Sequence, residues 1–220
     1  MISFLHTGQA HVATFDRLLD ELAPGMARRH RVEQGWLDEA RDKGMSAELA
    51  ATISSAMAGL ATGGVGVCTC SSIGAAAEAA YRADAPVIRI DRVLMEAALE
   101  HGPRPLVAMC LESTRAPTMD LLADVAGRAG VDAGAQVVMC EGAWPHFEAG
   151  NMSAYADAIA AAVVPAALAG KPSCIVLAQA SMAPAEPLLA QLGVPVLSSP
   201  RLGVQTALSL LQRRQSFPSH

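Results

Sequence analysis

A chain of 220 residues that is 52% hydrophobic and 17% charged can bury a sizeable core, as one large domain or two small ones, and is not a disordered composition. Aromatic residues make up only 4%, and the apolar content is mostly Ala, Val and Leu, which suits helices packed on sheets better than an aromatic-rich β-barrel. A formal net charge of −5 with no basic run leaves no electrostatic footprint for nucleic acid.

The chain opens on "MISFLHTGQAH", which lacks the basic start and long apolar middle of a signal peptide. Strand-length apolar runs follow at 2–6, 29–33, 65–69 and 86–90, and again at 105–110, 135–140, 173–178 and 194–198. Between them lie stretches with three- and four-residue apolar spacing, such as "FDRLLDELA" and "PTMDLLADVA". Strand and helix in alternation predict parallel sheets with helical crossovers. The longest apolar stretch, "AYADAIAAAVVPAALAG", carries Asp157 and is expected to break at Pro165, so it reads as a buried helix and not a membrane span. Five cysteines, an odd count, point to free thiols in a reducing cytoplasm.

The two sets of four strands read as copies. An offset of 109 lays Cys70 on Gln179, Val67 on Val176, Ser72 on Ser181, Pro86 on Pro195 and Leu99 on Leu208 without a gap. Earlier in each half the offset is smaller: 104 for Thr14 on Thr118 and 107 for Gly35 on Gly142. The expected fold is therefore α/β, with two pseudo-symmetric halves, each a four-stranded mostly parallel sheet flanked by helices, and a cleft between them. The halves are placed at 1–100 and 101–220, with the C-terminal helix packing back on the first. Ligands of parallel sheets gather outside the carboxyl ends of the strands, where helix N-termini and loop amides point. The residues to weigh are those that end the strands: His6 and Thr7, Glu33, Cys70 with Ser71 and Ser72, Cys110, Cys140, and Gln179 with Ala180 and Ser181.

A thiol at the first turn of a helix lies near the positive end of the helix dipole and near unpaired amides, both of which favour thiolate over thiol. The same amides, with the Ser71 and Ser72 hydroxyls, can hold a carboxylate without a lysine or arginine. A small carboxylic acid is the natural guest.

The motif "VCTCSSIG" (67–74) resembles the first signature of the aspartate/glutamate racemase superfamily, in which a strand ends in Cys followed by small polar residues. "CIVLAQASM" (174–182) resembles the second signature, where an apolar strand usually runs into Gly-Cys-Thr or Gly-Cys-Ala. The duplicated α/β pattern, the Pro-Val strand after each signature helix and the "HT" closing the first strand extend the likeness over nearly the whole chain. The resemblance implies a cofactor-independent isomerase, dimeric, in which two cysteines move a proton at the carbon beside a carboxylate. It places the first thiol on Cys70. Cys68, two residues earlier on the same strand face, is the rival, expected deeper and inert.

At the second signature Gln179 stands where the family has its other thiol. An amide neither takes nor gives a proton near neutral pH, although it donates hydrogen bonds. Three arrangements stay open: another group, among Cys140, Cys110 and His146, supplies the second face; the reaction needs one thiol, as in a decarboxylase or lyase acting on a malonate-like diacid; or the site only binds a carboxylate. Arylmalonate decarboxylase resembles the family in fold, but has its lone cysteine at the second signature, the reverse of this chain.

The catalytic candidates are thus Cys70 and Gln179, and the substrate-binding candidates Thr7, Ser71, Ser72, Ser113, Thr114, Ala180 and Ser181. Thr7 lies in the loop that the resemblance places on substrate, and Ser113 and Thr114 in the equivalent loop of the second half. Half of such loop hydroxyls are turn or helix caps. "TGGVGV" reads as a turn, since its glycines precede the strand. Cys68 and Cys70 as a metal pair would need further ligands, so no metal and no cofactor is expected. His6, His11 and His146 lie where a general acid would be useful but read first as structural hydrogen-bonding groups, and Arg89, Arg92 and Arg115 are candidates to reach an anionic substrate but read first as solvated. The expected partners are a small carboxylate substrate and a second copy of the chain, with no nucleic acid and no membrane.

Overall fold

In the computed structural model, residues 1–216 are described, and they form two compact units. The first comprises Met1–Val93 together with the segment from Pro200 onward, and the second comprises Leu94–Ser199.

The first unit carries strands β1 (Ile2–His6), β2 (Arg28–Val32), β3 (Val65–Cys68) and β4 (Val87–Arg89). They form one sheet in the order β2-β1-β3-β4, every pair parallel. Its helices are α1 (Ala10–Leu22), α2 (Gln34–Lys43), α3 (Ala47–Ala61), α4 (Ser71–Glu78), the start of α5 (Ile90–Glu100) and nearly all of α10 (Ser199–Ser216). The second unit repeats the plan with β5 (Leu106–Met109), β6 (Gln136–Met139), β7 (Ile175–Leu177) and β8 (Val196–Ser198) in the order β6-β5-β7-β8, again all parallel. Helices α6 (Arg115–Ala129), α7 (Trp144–Glu148), α8 (Met152–Gly170) and α9 (Glu186–Leu189) belong to it. All eight expected strands form, and the α/β pattern of two four-stranded parallel sheets is the one the alternation predicted.

The register makes the duplication specific. Phe4 pairs with Val67 in the first sheet and Val107 with Val176 in the second, so the 109-residue offset between β3 and β7 goes with 103 between β1 and β5. Glu33 N–H donates to the His6 carbonyl and Cys140 N–H to that of Met109, which keeps the 107-residue offset after β2 and β6. By this register Cys110 occupies in the second unit the place of Thr7 in the first, one residue short of the 104 read from Thr14 and Thr118.

Alternation along β1 divides its side chains between two layers. Leu5 joins Leu49, Ile53 and Met57 of α3 and Cys68, Ile73 and Ala77 in one core cluster. Phe4 and His6 face the other way, onto Phe15 of α1. In the second unit Leu106, Ala108 and Cys110 pack with Tyr155, Ile159 and Val163 of α8. Pro165 does not break α8, which runs unbroken for 19 residues and lays Tyr155, Ala156, Ile159, Val163 and Ala167 against the sheet. Proline removes one N–H and crowds one carbonyl of the preceding turn, and the burial of that face outweighs the loss. Among the described residues α8 is the one helix long and apolar enough to cross a membrane; here it covers a core.

A buried ion pair braces α4. Arg89, at the end of β4, and Asp91, at the start of α5, join through two hydrogen bonds of 2.8 and 2.7 Å. The guanidinium lies flat against Gly74 of α4, where a Cβ would fall 2.7 Å from Nε and 2.9 Å from Cζ. Glycine at this point of "CSSIG" is therefore a packing requirement. Arg92 reaches the same helix through Glu78. The expectation that Arg89 is solvated is wrong, because Asp91 compensates the charge and lets it be buried.

Candidate active site

β3 ends at Cys68 and α4 begins at Ser71, and Cys70 is the N-cap residue in extended conformation, φ −120° and ψ 123°. Its side chain makes no capping hydrogen bond. The half-buried sulfur therefore sits at the carboxyl edge of the sheet, beside the first amides of a helix that lack intrahelical acceptors. Ser71 and Ser72, both half-buried, are the first two residues of that turn. Cys68 is 1% exposed, and its thiol points back to the Cys70 carbonyl at 3.5 Å. Burial pushes that thiol far above its ordinary range, and the neighbouring Cys70 adds to the shift. It is the inert member of the pair.

The residue before Cys70 is fixed by a buried polar relay that sequence reading did not assemble. Thr69 Oγ1 lies 2.8 Å from His6 Nδ1 and 3.2 Å from the Leu5 carbonyl to which it donates. His6 Nε2 lies 2.8 Å from His30 Nδ1, and His30 Nε2 lies 3.3 Å from Asp16, which also pairs with Arg28. His11 stacks over His6. The His6–Thr69 contact holds the ends of the adjacent strands β1 and β3 together, and Thr7 and Cys70 are the next residue of each. Thr7 is 6% exposed.

Desolvation, reinforced by His11 and His30, lowers the His6 pKa from 6.5 to about 3. Unfolded His6 takes up a proton near pH 6.5, whereas folded His6 stays neutral until far lower, so stability is lost as the pH falls through that window. The expected slope from this group is about 1.4 kcal/mol per pH unit. Urea midpoints measured from pH 7 to 4.5 should fall in the wild type and fall less in His6→Gln. Equal slopes in the two proteins would contradict the assignment.

In the second unit Gln179 holds the position equivalent to Cys70, as the residue before a 3-10 turn, Ala180–Ala185. Its side chain folds across to β5, where Oε1 accepts a 2.7 Å hydrogen bond from Cys110 N–H. Gln179 therefore presents its NH2 group, a donor only. Ala180 and Ser181 open the turn, and the Ser181 hydroxyl lies 3.0 Å from the Tyr155 hydroxyl. Tyr155, 45 residues from Cys110, donates to its sulfur at 3.4 Å. Cys140 belongs to the same buried cluster as Cys110 and Tyr155. Among the candidates, Gln179 and Ser181 thus join Cys110, Cys140 and Tyr155 at one sheet end, and sequence gave no sign of Tyr155.

Ser113 and Thr114 stand apart from that cluster, in a 3-10 turn over Glu112–Thr114. Ser113 is exposed, and Thr114 is buried with its hydroxyl donating to the Leu111 carbonyl, a local turn contact. His146 is exposed on α7, where Trp144 bonds Glu148 at 2.8 Å and stacks on Phe147. Cys174, before β7, is buried and donates to the Ala98 carbonyl. Among the described residues no three His, Cys, Asp or Glu side chains gather as metal ligands. A groove of about 620 Å³ runs between α6 and the residues leading into β6, at the amino end of that strand and away from the candidate residues.

No protein-family model matches the chain, and no curated protein sequence matches it. Solved structures do. The glutamate racemase of Francisella tularensis in complex with D-glutamate superposes with a TM-score of 0.71 at 12% identity, covering 100% of this chain and 83% of that one. The allantoin racemase of Klebsiella pneumoniae gives 0.67 at 20% identity over 96% of this chain and 87% of its own. Unliganded arylmalonate decarboxylase gives 0.57 at 17%, over 96% and 92%. At these identities the likeness establishes the fold: the chain has the α/β architecture found in these racemases and this decarboxylase.

Proposed function

We propose that this chain is a cofactor-independent, racemase-like isomerase that moves a proton at the carbon next to the carboxylate of a small acid or amino acid. Its fold is that of aspartate, glutamate and allantoin racemases, which supports the reaction class. The observation that carries the reading is Cys70, a thiol left free of capping duty at the N-terminus of α4 and at the carboxyl end of β3. The amides and hydroxyls of Ser71 and Ser72 bind the carboxylate, and Cys70 takes or returns the proton. Thr7, the residue after β1, adds a hydroxyl contact. In the second unit Ala180 and Ser181 provide a matching turn, and the Gln179 NH2 donates to the enolate oxygen as charge develops there. The enzyme works as a homodimer in a reducing cytoplasm, a setting that suits its five free thiols.

A single-thiol decarboxylase is the second reading. It is favoured by the thiol's presence at one of the two equivalent strand ends and by the fold shared with arylmalonate decarboxylase. One experiment separates them. A panel of small amino acids, hydroxy acids and substituted malonates is incubated with the protein in deuterated water and followed by proton NMR and carbon dioxide release. Deuterium entering beside the carboxylate without gas is the expected result. Gas release from a malonate establishes the second reading, and neither outcome from any acid defeats both.

A further inference from the structure

Gln179 cannot carry a proton, yet the sheet that presents it also presents a thiol one strand away. Cys110 follows β5, is 8% exposed, and holds by register the place that Thr7 holds in the first unit. Two contacts set it apart from an ordinary core cysteine. Its N–H is anchored by Gln179 Oε1 at 2.7 Å, which ties the strand end carrying the thiol to the glutamine itself. Its sulfur accepts from the Tyr155 hydroxyl at 3.4 Å, and that hydroxyl is in turn 3.0 Å from Ser181. Cys140, the residue after β6, packs in the same buried cluster.

We propose that Cys110 is the proton-carrying group of the second unit, with the Tyr155 hydroxyl as its hydrogen-bond donor. The proposal rests on the reading of the chain as a proton-transfer enzyme and names the group that fills the role Gln179 leaves vacant. In the forward step the Cα–H bond breaks and an S–H bond forms on Cys110, while the electron pair passes into the carboxylate to give an enediolate. The reverse step restores C–H and thiolate, so no oxidant, reductant or cofactor is consumed.

The electrostatics run the same way. The neighbouring Cys140 thiol lowers the Cys110 pKa from its ordinary value, burial opposes this, and the Tyr155 hydrogen bond adds to the lowering. Cys140 is pushed up by Cys110 and by burial, and Tyr155 by burial and by Cys110, so both stay protonated. These are the titratable groups facing Cys110, from the end of β6 and from α8; β7 and the turn after it face the cluster with the uncharged Gln179 and Ser181.

The test uses the full chain and an acid that exchanges in the wild type. Cys110→Ser should lose more than tenfold in exchange rate while still binding the acid by calorimetry. Tyr155→Phe should move the pH profile of exchange upward and slow iodoacetamide labelling of Cys110 at pH 7 about tenfold. A loss below tenfold in Cys110→Ser overturns the assignment, as does a pH profile that Tyr155→Phe leaves in place. A wild type that exchanges no acid defeats the enzymatic reading itself, a result distinct from failure of either variant.

Discussion

Cys70→Ser is expected to lower proton exchange on a responsive acid about a thousandfold, the middle of the range for removing a positioned acid or base. The acid itself should still bind. The asymmetry follows from the proposed division of labour: the α4 amides and the Ser71 and Ser72 hydroxyls hold the carboxylate, and the Cys70 sulfur at the N-cap, which takes no part in that grip, moves a proton. A serine hydroxyl has the shape to fill the N-cap position, so the helix and its amides persist. Cys68→Ser should change the rate little, since that thiol is enclosed in the core cluster of α3 and α4 and kept protonated by burial. Equal losses from the two substitutions would assign the chemistry to the strand in general and not to the helix start.

The second large effect lies behind the helix. Asp91→Ala should cost about 3–5 kcal/mol, because it leaves the Arg89 guanidinium buried without its bidentate partner. A domain has roughly 5–15 kcal/mol to lose, so this substitution brings the chain close to unfolding. Replacing both residues, Arg89→Met with Asp91→Leu, should cost less than Asp91→Ala alone, since an apolar pair carries no desolvated charge. Urea denaturation of the two proteins checks the order. A single variant more stable than the double would mean that water or Glu78, 3.8 Å from Arg89, takes over the compensation.

Sequence made the architecture legible because its signal is local. Each strand is a short apolar run, each helix a three-to-four spacing, and the ungapped 109-residue correspondence carried the end of β7 onto the end of β3. Cys70 was legible for the same reason, as the residue between a strand and a helix N-terminus. What stayed hidden depends on which strands lie side by side. The relay through His6, His30 and Thr69 requires the order β2-β1-β3, and the Cys110 cluster requires β5 between β6 and β7. Tyr155 enters only because α8 lays that face on the sheet. Arg89 misled because an isolated arginine is solvated by default, and Asp91, two residues on, lies too close in the chain for its role to be read without the turn from β4 into α5. Pro165 misled because the cost of proline in a helix is small beside the apolar face that α8 buries.

A thiol adjoining a carboxylate cradle is what the proposed chemistry requires, and alkylation reads both at once. Iodoacetate carries a carboxylate; iodoacetamide has the same reactive carbon without the charge. Site-resolved mass spectrometry should find Cys70 labelled by iodoacetate about tenfold faster than by iodoacetamide, as anion binding at a helix N-terminus would give. A small carboxylic acid should slow the iodoacetate reaction. Preference for iodoacetamide at Cys70, with no protection by any carboxylate, would contradict it.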